Sequence, residues 1–501
     1  MKERLLNVGN LIGAVCFSIV FIIFFFVNTG SYLIVAQLVT LPVALFLLVL
    51  LVRLIDKKAV QRFFDIPPYK LYLFCALFMF AIQMILVIGI NFMPRTDASH
   101  MHKICMNYIT GKNQLYQGLD LYHQNYLDRY SNQWGIFLIQ SFIYKISYAL
   151  TGRISISLLP FLNVLVMQLS YFLTYKISGL VFNERRQKPL SVIILAACPV
   201  LYVYSCVFYT DTLGMPFLLG AIYFGLKAKR ATNNKVIVYT IVSALCIALG
   251  FVIKGNVAIV AVAFLIYMFL RMSLKRFMAF LLAVVISFVS VNTAVEATMK
   301  GLGIVTDESI EKYSFPYTHW VMMGLNGRGG YNADDFQLTF HTDGLEAKKQ
   351  MNKDEIKSRI SEMGFAGMLS HLALKIRYTW YGGAYQSTNQ FALSEKSSLT
   401  DFFSSSGVYL TWCFLFQAML IILMLISFWA GVIRKRLDSV CLLRLMQLGM
   451  FLFLLMWETR SRYMLNLLPI YILIAADGAW ELKVFLDYIS QKKMKKTKTV
   501  D

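Results

Sequence analysis

Residues 71–104, LYLFCALFMFAIQMILVIGINFMPRTDASHMHKI, contain the transition that decides the fold of this chain. Residues 71–90 carry no charged side chain, and as a helix they are long enough to cross the roughly 30 Å of hydrocarbon in a bilayer. Arg95, Asp97 and His100 follow directly. This pattern is typical of a transmembrane helix that ends at a membrane surface, and it places a carboxylate close to the lipid headgroups.

The composition of the whole chain agrees with this pattern. Of the 501 residues, 58% are hydrophobic and only 15% are charged, and the mean hydropathy is +0.60. A soluble protein carries roughly a quarter charged residues. Apolar runs of about 18 or more residues, the length needed to cross a membrane, recur along the sequence. The sequence therefore predicts an all-α, polytopic membrane protein.

The formal net charge of +21 arises mainly from short basic runs beside apolar segments. Lys and Arg collect in this way in the cytoplasmic loops of membrane proteins, whereas a nucleic-acid-binding protein carries a basic patch on a soluble face. We therefore predict no nucleic-acid partner. The runs are RLIDKK (53–58), NERRQK (183–188), KAKR (227–230), RMSLKR (271–276), RKR (434–436) and QKKMKKTK (491–498).

Hydropathy and the basic runs together predict about twelve membrane-spanning helices, with both termini in the cytoplasm. The first apolar segment is too long for a cleaved signal peptide and is interpreted as a span. A further segment, 133–149, would reverse the side of every later basic run if it crossed, so we predict that it lies in the outer interface. The predicted spans are 8–28, 32–52, 70–91, 155–180, 190–207, 212–227, 236–253, 256–271, 277–296, 406–431, 445–458 and 463–481.

Two long outer loops divide the predicted chain into four units. The first loop, 92–154, contains Asp97 and the interfacial segment, and the second, 297–405, is long enough to form a large, partly folded cap. The units are an accessory transmembrane pair (1–65), a transmembrane core that holds the candidate catalytic residues and the first loop (66–296), an extracytoplasmic cap (297–405), and C-terminal transmembrane helices with a basic cytoplasmic tail (406–501).

Two carboxylates are candidates for a chemical role. A carboxylate at the headgroup boundary is costly unless it has a task or a partner. Asp97 can act as a general base for an acceptor hydroxyl, and the alternative is a solvated helix end balanced by Arg95. Asp211 lies in a tight outer turn between two short apolar spans, at a similar depth. It either shares a site with Asp97 or caps the turn.

Arg460 and Arg462 lie at the outer end between the last two predicted spans. Arginine on the outer side departs from the usual excess of basic residues in the cytoplasm, so these side chains require an anionic partner. A phosphate is suitable, because the planar guanidinium binds oxyanions with two hydrogen bonds and stays charged. The alternative is an internal ion pair with Glu458. Lys254, on the same side, is a further candidate for the same anion.

Aromatic, amide and titratable side chains on the outer side form a candidate substrate and acceptor pocket. Such mixtures suit sugars, which stack their apolar faces on aromatic rings and hydrogen-bond their hydroxyls to amides. They equally suit an aromatic belt at the membrane surface or a structural cap. The candidates are Arg95, His100, Tyr130, Asn132, Tyr209, His319, Trp380 and Tyr381.

The motifs disfavour metal and nucleotide chemistry. His100 and His102 form an HxH pair, but no third ligand follows at a diagnostic spacing. The eight cysteines lack zinc-type spacing and give no sign of a disulfide framework. The sequence contains neither a Walker motif nor GxGxxG. We therefore expect no cofactor, while leaving a divalent metal open.

Taken in order, these motifs resemble the GT-C superfamily of integral-membrane glycosyltransferases, the class of the protein O-mannosyltransferases and the lipid A aminoarabinose transferases. The resemblance begins with Asp97 at the opening of the first outer loop. It continues with YLDRYSNQWG (126–135), which is similar to a YPNNxG element of Gram-positive members, and with FYTDT (208–212) and RSRYMLNLLPIY (460–471).

The resemblance implies a reaction as well as a fold. It implies a polyprenyl-phosphate-linked sugar as donor and a glycan, lipid or protein of the cell envelope as acceptor. Transfer would occur at the outer face of a bacterial cytoplasmic membrane, by single displacement with inversion and without an obligatory metal. Asp97 would be the catalytic base and Asp211 a second acidic residue of the pocket. Arg462, with Arg460, would hold the departing lipid phosphate.

Two other functions remain open. A transporter or flippase of a lipid-linked saccharide would explain the spans and the outer arginines, although transporters usually place their polar groups near mid-membrane. A non-catalytic membrane scaffold, whose cap binds a wall polymer, is the third possibility.

Overall fold

The structure is a computed structural model, and the part of the chain that it describes is helical. No β-strand occurs in this part, which confirms the predicted all-α class. The end of the predicted basic tail, 498–501, lies outside it. The described residues are 2–27, 33–55, 57, 61, 64–90, 92–111, 114–391 and 394–497.

The long helices are numbered here in chain order, and shorter helices fill the two long loops. The long helices are α1 (Lys2–Phe26), α2 (Leu33–Leu54), α3 (Pro68–Gly89), α4 (Thr96–Ile109), α5 (Trp134–Thr151), α6 (Leu158–Val181), α7 (Gln187–Ala197), α8 (Thr210–Arg230), α9 (Lys235–Ile253), α10 (Val257–Arg271), α11 (Leu274–Gly301), α12 (Leu345–Trp380), α13 (Gly407–Ile433), α14 (Ser439–Met456) and α15 (Leu468–Thr497). The shorter ones include Tyr126–Arg129, Asp307–Tyr313, Tyr317–Gly324, Ala333–Phe340, Ser387–Gln390 and Ser398–Ser405.

Eight of the described helices are long and apolar enough to cross a membrane, and α7 with its bent continuation Pro199–Cys206 makes nine. The chain is therefore a multi-pass membrane protein. Helices also occupy the other predicted spans, but α2 and α10 offer only shorter apolar stretches, and α8 has Asp211 at its start and basic residues in its last turn. The count of about twelve spans stays a prediction.

α15 is the central helix of the bundle. All residues from 464 to 479 are buried, and α6, α7, α13 and α14 pack around them. The closest approach is to α13 at Gly478, where an added Cβ would lie 1.8 Å from the carbonyl oxygen of Leu423. The two helix backbones are in contact there because Gly478 has no side chain.

Gly478→Ala is expected to destabilise the bundle by about 1–3 kcal/mol, because the added methyl overlaps helix backbone that cannot move aside. The matched control is Gly449→Ala in α14, where the nearest neighbour of an added Cβ lies at 3.5 Å. Since alanine favours helix, this control should keep or raise stability. Melting temperatures in one detergent compare the pair, and equal values would contradict the close contact.

α1 packs into the same core as the C-terminal helices. The ring of Phe17 stacks on Phe428 of α13 with centroids 5.3 Å apart, and it meets the edge of Trp380 at 5.4 Å. Asn10 donates a hydrogen bond to the carbonyl of Arg436 over 3.0 Å. The predicted division into units 1–65 and 406–501 therefore separates helices that share one core, and it stays a prediction.

A buried ion network lies further along α15, away from Arg462. Asp477 is fully buried and contacts Arg436 at 2.9 Å, and Ser427 donates to it over 2.7 Å. Glu481 pairs with the same arginine at 2.8 Å. Within the basic run 434–436, Arg434 and Arg436 are thus paired with carboxylates of α15.

The two long loops are joined to each other. Arg129 of the first loop lies 4.7 Å from the ring centroid of Phe340 and 5.5 Å from that of Phe315, and Phe315 N–H donates to the Arg129 carbonyl. Phe315 forms a small separate core with Met323 and Phe336. The second loop is therefore a helical cap that rests on the first loop.

Candidate functional site

Four candidate residues lie at the ends of helices on one side of the bundle. Asp97 is in the first turn of α4 and Asp211 in the first turn of α8. A helix N-terminus favours carboxylates, because its unpaired N–H groups and its dipole attract negative charge. Lys254 follows the last residue of α9, and Arg462 lies in the 3₁₀ helix Ser461–Leu467 that leads into α15.

Arg462 is the centre of this cluster. Its Nη2 lies 3.8 Å from Oδ2 of Asp97, and its Nε lies 3.5 Å from Oδ2 of Asp211. Lys254 Nζ contacts the other oxygen of Asp211 at 2.6 Å. The side chain of Asp97 is 42% exposed, whereas those of Arg462 and Asp211 are 10% and 3% exposed. Of these side chains, Asp97 is therefore the most open to an incoming molecule.

The guanidinium of Arg462 is held loosely by its carboxylate neighbours. Charge-assisted hydrogen bonds of this type are about 2.7–2.9 Å long. Both of its carboxylate contacts are longer, and its buried Nε has no hydrogen-bond partner among the described residues. Leaving a buried donor unsatisfied is costly. A hydrogen bond from Arg462 to a further anionic oxygen would therefore be favourable. Asp211, in contrast, is already bound closely by Lys254.

Two tyrosines lie beside the cluster, one against Asp97 and one against Arg462. Tyr126 is buried and donates to Oδ1 of Asp97 over 3.2 Å, and Tyr209 donates to Gln133 over 2.8 Å. Tyr209 was a candidate from its sequence motif, whereas Tyr126 and Gln133 were not. The sequence did contain a signal for Tyr126, because it lies one helical turn before the candidate Tyr130. In the structure the two rings lie 4.9 Å apart.

Arg460 is bound differently from Arg462. Its Nε donates to Glu458 over 3.0 Å, and Tyr463 donates to the other oxygen of the same carboxylate over 3.1 Å. The guanidinium lies 5.5 Å from the ring centroid of Tyr331 in the cap. The internal pair with Glu458, which the sequence left open, is therefore formed by Arg460.

Three candidates from the first loop take separate positions. Arg95 donates to the carbonyl of Asn389 over 3.0 Å. The ring of His100 lies against that of His123, with centroids 3.6 Å apart. Burial, followed by the charge of His123, lowers the pKa of His100 to about 4, so its ring is neutral at pH 7 and cannot attract an anion. Asn132 is exposed, and its neighbour Gln133 is the amide that contacts Tyr209.

The cap candidates are packed into the protein. His319 is buried, contacts Thr339 at 2.8 Å, and has its pKa lowered to about 4 by burial. Trp380 is only 2% exposed in this structure, and its role in a substrate pocket stays a prediction. Tyr381 packs between Phe24 and Phe414, with centroids at 5.8 and 5.1 Å.

The HxH pair has local partners. His102 contacts the hydroxyl of Tyr144 at 2.6 Å, and burial lowers the pKa of His102 to about 4. Throughout the described ranges, no group of three or more His, Cys, Asp or Glu side chains is placed to hold a metal ion.

A small, mainly apolar cleft lies directly beside the Asp97 helix. Ala98, the residue after Asp97, is part of its wall. The other lining residues are Phe92, Pro94, His102, Gln140, Ile156, Leu159, Pro160, Cys206 and Phe208.

Apolar helices packed around a buried central helix, with a charged cluster at one face, define a multi-pass integral membrane protein. The chain belongs to the family described as conserved hypothetical integral membrane protein, whose model matches residues 5–481. Among solved structures, it is similar to a crystal structure of ArnT from Cupriavidus metallidurans bound to undecaprenyl phosphate. The two sequences are 10% identical, the TM-score is 0.34, and the match covers 82% of this chain and 77% of that chain. No curated protein matches the sequence.

Proposed function

We propose that this protein is a glycosyltransferase of the GT-C type. It transfers a sugar from a polyprenyl-phosphate-linked donor to a cell-envelope acceptor at the outer face of the bacterial cytoplasmic membrane, and its termini lie in the cytoplasm. The observation that carries the proposal is the convergence of Asp97 and Asp211 on Arg462. An accessible carboxylate beside a loosely held guanidinium supplies both a base and a site for a leaving phosphate.

In the proposed reaction, Asp97 accepts the proton of an acceptor hydroxyl. The acceptor oxygen forms a bond to the anomeric carbon, and the bond from that carbon to the phosphate oxygen breaks with inversion. The electron pair stays on the lipid phosphate, and the guanidinium of Arg462 stabilises its growing charge. The partial exposure of Asp97 supports this role, since the acceptor must reach it from outside.

The remaining charged residues support Arg462. Lys254 neutralises Asp211 at 2.6 Å, so Arg462 can turn towards a phosphate without leaving a buried carboxylate unpaired. Arg460, paired with Glu458, lies at the edge of the site and is proposed as a secondary phosphate contact. With two cations available, the proposed reaction uses no metal or other cofactor.

A lipid donor also needs an apolar surface close to the base. The residues that line the small cleft beside α4 are mainly aliphatic and aromatic, and they offer such a surface. We propose that the first isoprene units of the donor pack against these side chains. The partners are then membrane lipid, the polyprenyl-phosphate sugar and an envelope glycan, lipid or protein.

The test uses the purified protein in liposomes with a panel of radiolabelled undecaprenyl-phosphate sugars and envelope fractions as acceptors. We expect label to leave the lipid fraction as a new glycoside, with one undecaprenyl phosphate released per sugar transferred. Label that crosses the bilayer while still attached to the lipid would instead identify a transporter.

The bent span formed by α7 and Pro199–Cys206 is the observation that favours a transporter, because broken helices often line transport sites. A carbonyl at this bend has a partner, however. The carbonyl of Ala196 accepts a hydrogen bond from the hydroxyl of Tyr202 over 2.6 Å. This arrangement supports a structural role for the bend, and the transporter remains the second candidate.

Tyr126→Phe is expected to lower kcat by about tenfold with little change in KM for the donor, because a hydrogen bond to a charged group contributes about 1.5–3 kcal/mol. The lost hydroxyl is the group that orients Asp97. Steady-state kinetics check this, with Tyr122→Phe in the same loop as control, since Tyr122 is 41% exposed. Equal kcat values for the two variants would exclude the orienting role.

A further inference from the structure

α12 changes character at a break in its middle. Gly364 has φ of +56°, a value that favours glycine, and it separates two helical halves. Residues 345–362 are densely charged, whereas residues 363–374 contain no Asp, Glu, Lys or Arg. The two halves of one helix are therefore suited to different surroundings.

The uncharged half exposes a broad apolar face. Phe365 is 83% exposed, Leu369 is 54% exposed and Leu374 is 37% exposed. Ala366 is also exposed, and Ser370 is the single polar side chain of this face. An uncharged face of this width is unfavourable in water and needs an apolar cover.

The opposite side of the same half is fixed to the protein. His371 and Lys375, one turn apart, are buried, and both contact the carbonyl of Gly324, at 3.0 and 2.7 Å. Arg377 donates to the carbonyl of Val27, the residue that follows α1. The end of this half-helix is therefore level with the end of a membrane-spanning helix.

We propose that residues 365–380 form an interfacial helix whose apolar face lies in the outer leaflet of the membrane that the protein spans. Lipid is favoured over a protein partner because the end of this half-helix packs on α1, which exposes an apolar face of its own. Ile22 and Phe26, in the last turns of α1, are 52% and 54% exposed on a helix that crosses the bilayer. The break at Gly364 then turns the charged half of α12 away from the lipid.

This placement connects the membrane surface to the charged cluster. Gly324 begins the loop Gly324–Gly330, and the carbonyl of Gly329 in that loop accepts a hydrogen bond from Thr459 N–H over 2.7 Å. Arg460 is the next residue. The interfacial helix therefore fixes the distance of the cap and of Arg460 from the bilayer, and this holds whether or not the proposed reaction is correct.

The test places a nitroxide label at Phe365→Cys and, independently, at Leu369→Cys. The protein is the full chain in liposomes of phosphatidylethanolamine and phosphatidylglycerol. The partly exposed Cys16, Cys75 and Cys246 are first replaced by alanine, and the other five cysteines are buried. Power-saturation electron paramagnetic resonance compares collisions with oxygen, which concentrates in lipid, and with a water-soluble nickel chelate. Ile22→Cys is the lipid reference and Lys357→Cys, on the charged half, is the water reference.

We expect oxygen-to-chelate ratios at 365 and 369 that are several-fold above that of Lys357→Cys and close to that of Ile22→Cys. A ratio equal to that of Lys357→Cys would overturn the proposal by placing the face in water. Protection from both reagents would also overturn it, because the cover would then be protein.

Discussion

Asp97→Asn is expected to lower the rate constant of sugar transfer by at least about a hundredfold, because an amide cannot accept the proton of the acceptor hydroxyl. The substitution keeps the shape of the side chain and an oxygen for the hydrogen bond from Tyr126. It also removes a negative charge 3.8 Å from Arg462, which frees that guanidinium for a phosphate. The affinity for the lipid donor should therefore stay constant or increase while catalysis is lost.

Single-turnover transfer and the Kd for undecaprenyl phosphate, measured on the same preparation, separate these two effects. The matched control is Asp120→Asn in the same loop, whose carboxylate is 61% exposed and pairs with His123. A surface change of this kind should alter the rate by no more than about twofold. If Asp97→Asn retains more than about a tenth of the wild-type rate, Asp97 is not the base.

The positions of the helices could be predicted closely because helix formation in a bilayer depends on the local sequence. A run without charge, bounded by charged residues, is a helix in a bilayer regardless of what it packs against, since its backbone groups must pair with one another. The segment predicted at 236–253 is thus Lys235–Ile253 in the structure. The bend after Ala197 was not predicted, although Pro199 is a local signal for it, because a proline supplies no N–H to the preceding helical turn.

The sequence could predict on which side of the membrane the residues of the charged cluster lie. Asp97, Asp211 and Arg462 were assigned to one face from hydropathy and the basic runs. In the structure both carboxylates lie within 4 Å of the guanidinium of Arg462. The sequence could not show which of the two neighbouring amides, Asn132 or Gln133, contacts Tyr209. The choice depends on the 3₁₀ turn Ser131–Gln133, which directs one amide to Tyr209 and leaves the other exposed.

Candidate residues from similar aromatic motifs could not be ranked from the sequence, because their burial was unknown. Trp380 and His319 lie in motifs rich in aromatic residues, which fit a sugar site and a packed interior equally well. The structure packs Trp380 against Phe17 and Tyr471, and it encloses His319 in the cap. Such contacts join α12 to α1 and α15, which are far apart in the chain, so no local pattern could have indicated them.

Arg462→Ala is expected to raise the Kd for undecaprenyl phosphate by about 30-fold or more, since removing one member of a desolvated charge pair costs about 2–5 kcal/mol. The fold should survive the change, because Lys254 still neutralises Asp211 at 2.6 Å. The melting temperature checks this point. Binding of undecaprenyl phosphate without its sugar is the appropriate measurement, because it reports the phosphate contact and not the chemistry of transfer.

Arg460→Ala is the matched control, because it removes an identical group two residues away. Arg460 is already hydrogen-bonded to Glu458, and its side chain is 26% exposed, so its loss should weaken lipid binding by less than about fivefold. Arg462→Lys, which keeps the charge without the planar fork, should fall between the two alanine variants. If Arg462→Ala binds the lipid as well as the wild type while Arg460→Ala does not, then the phosphate lies at the rim beneath Tyr331. The long contacts of Arg462 with the two carboxylates would in that case serve only to hold Asp97 and Asp211 together.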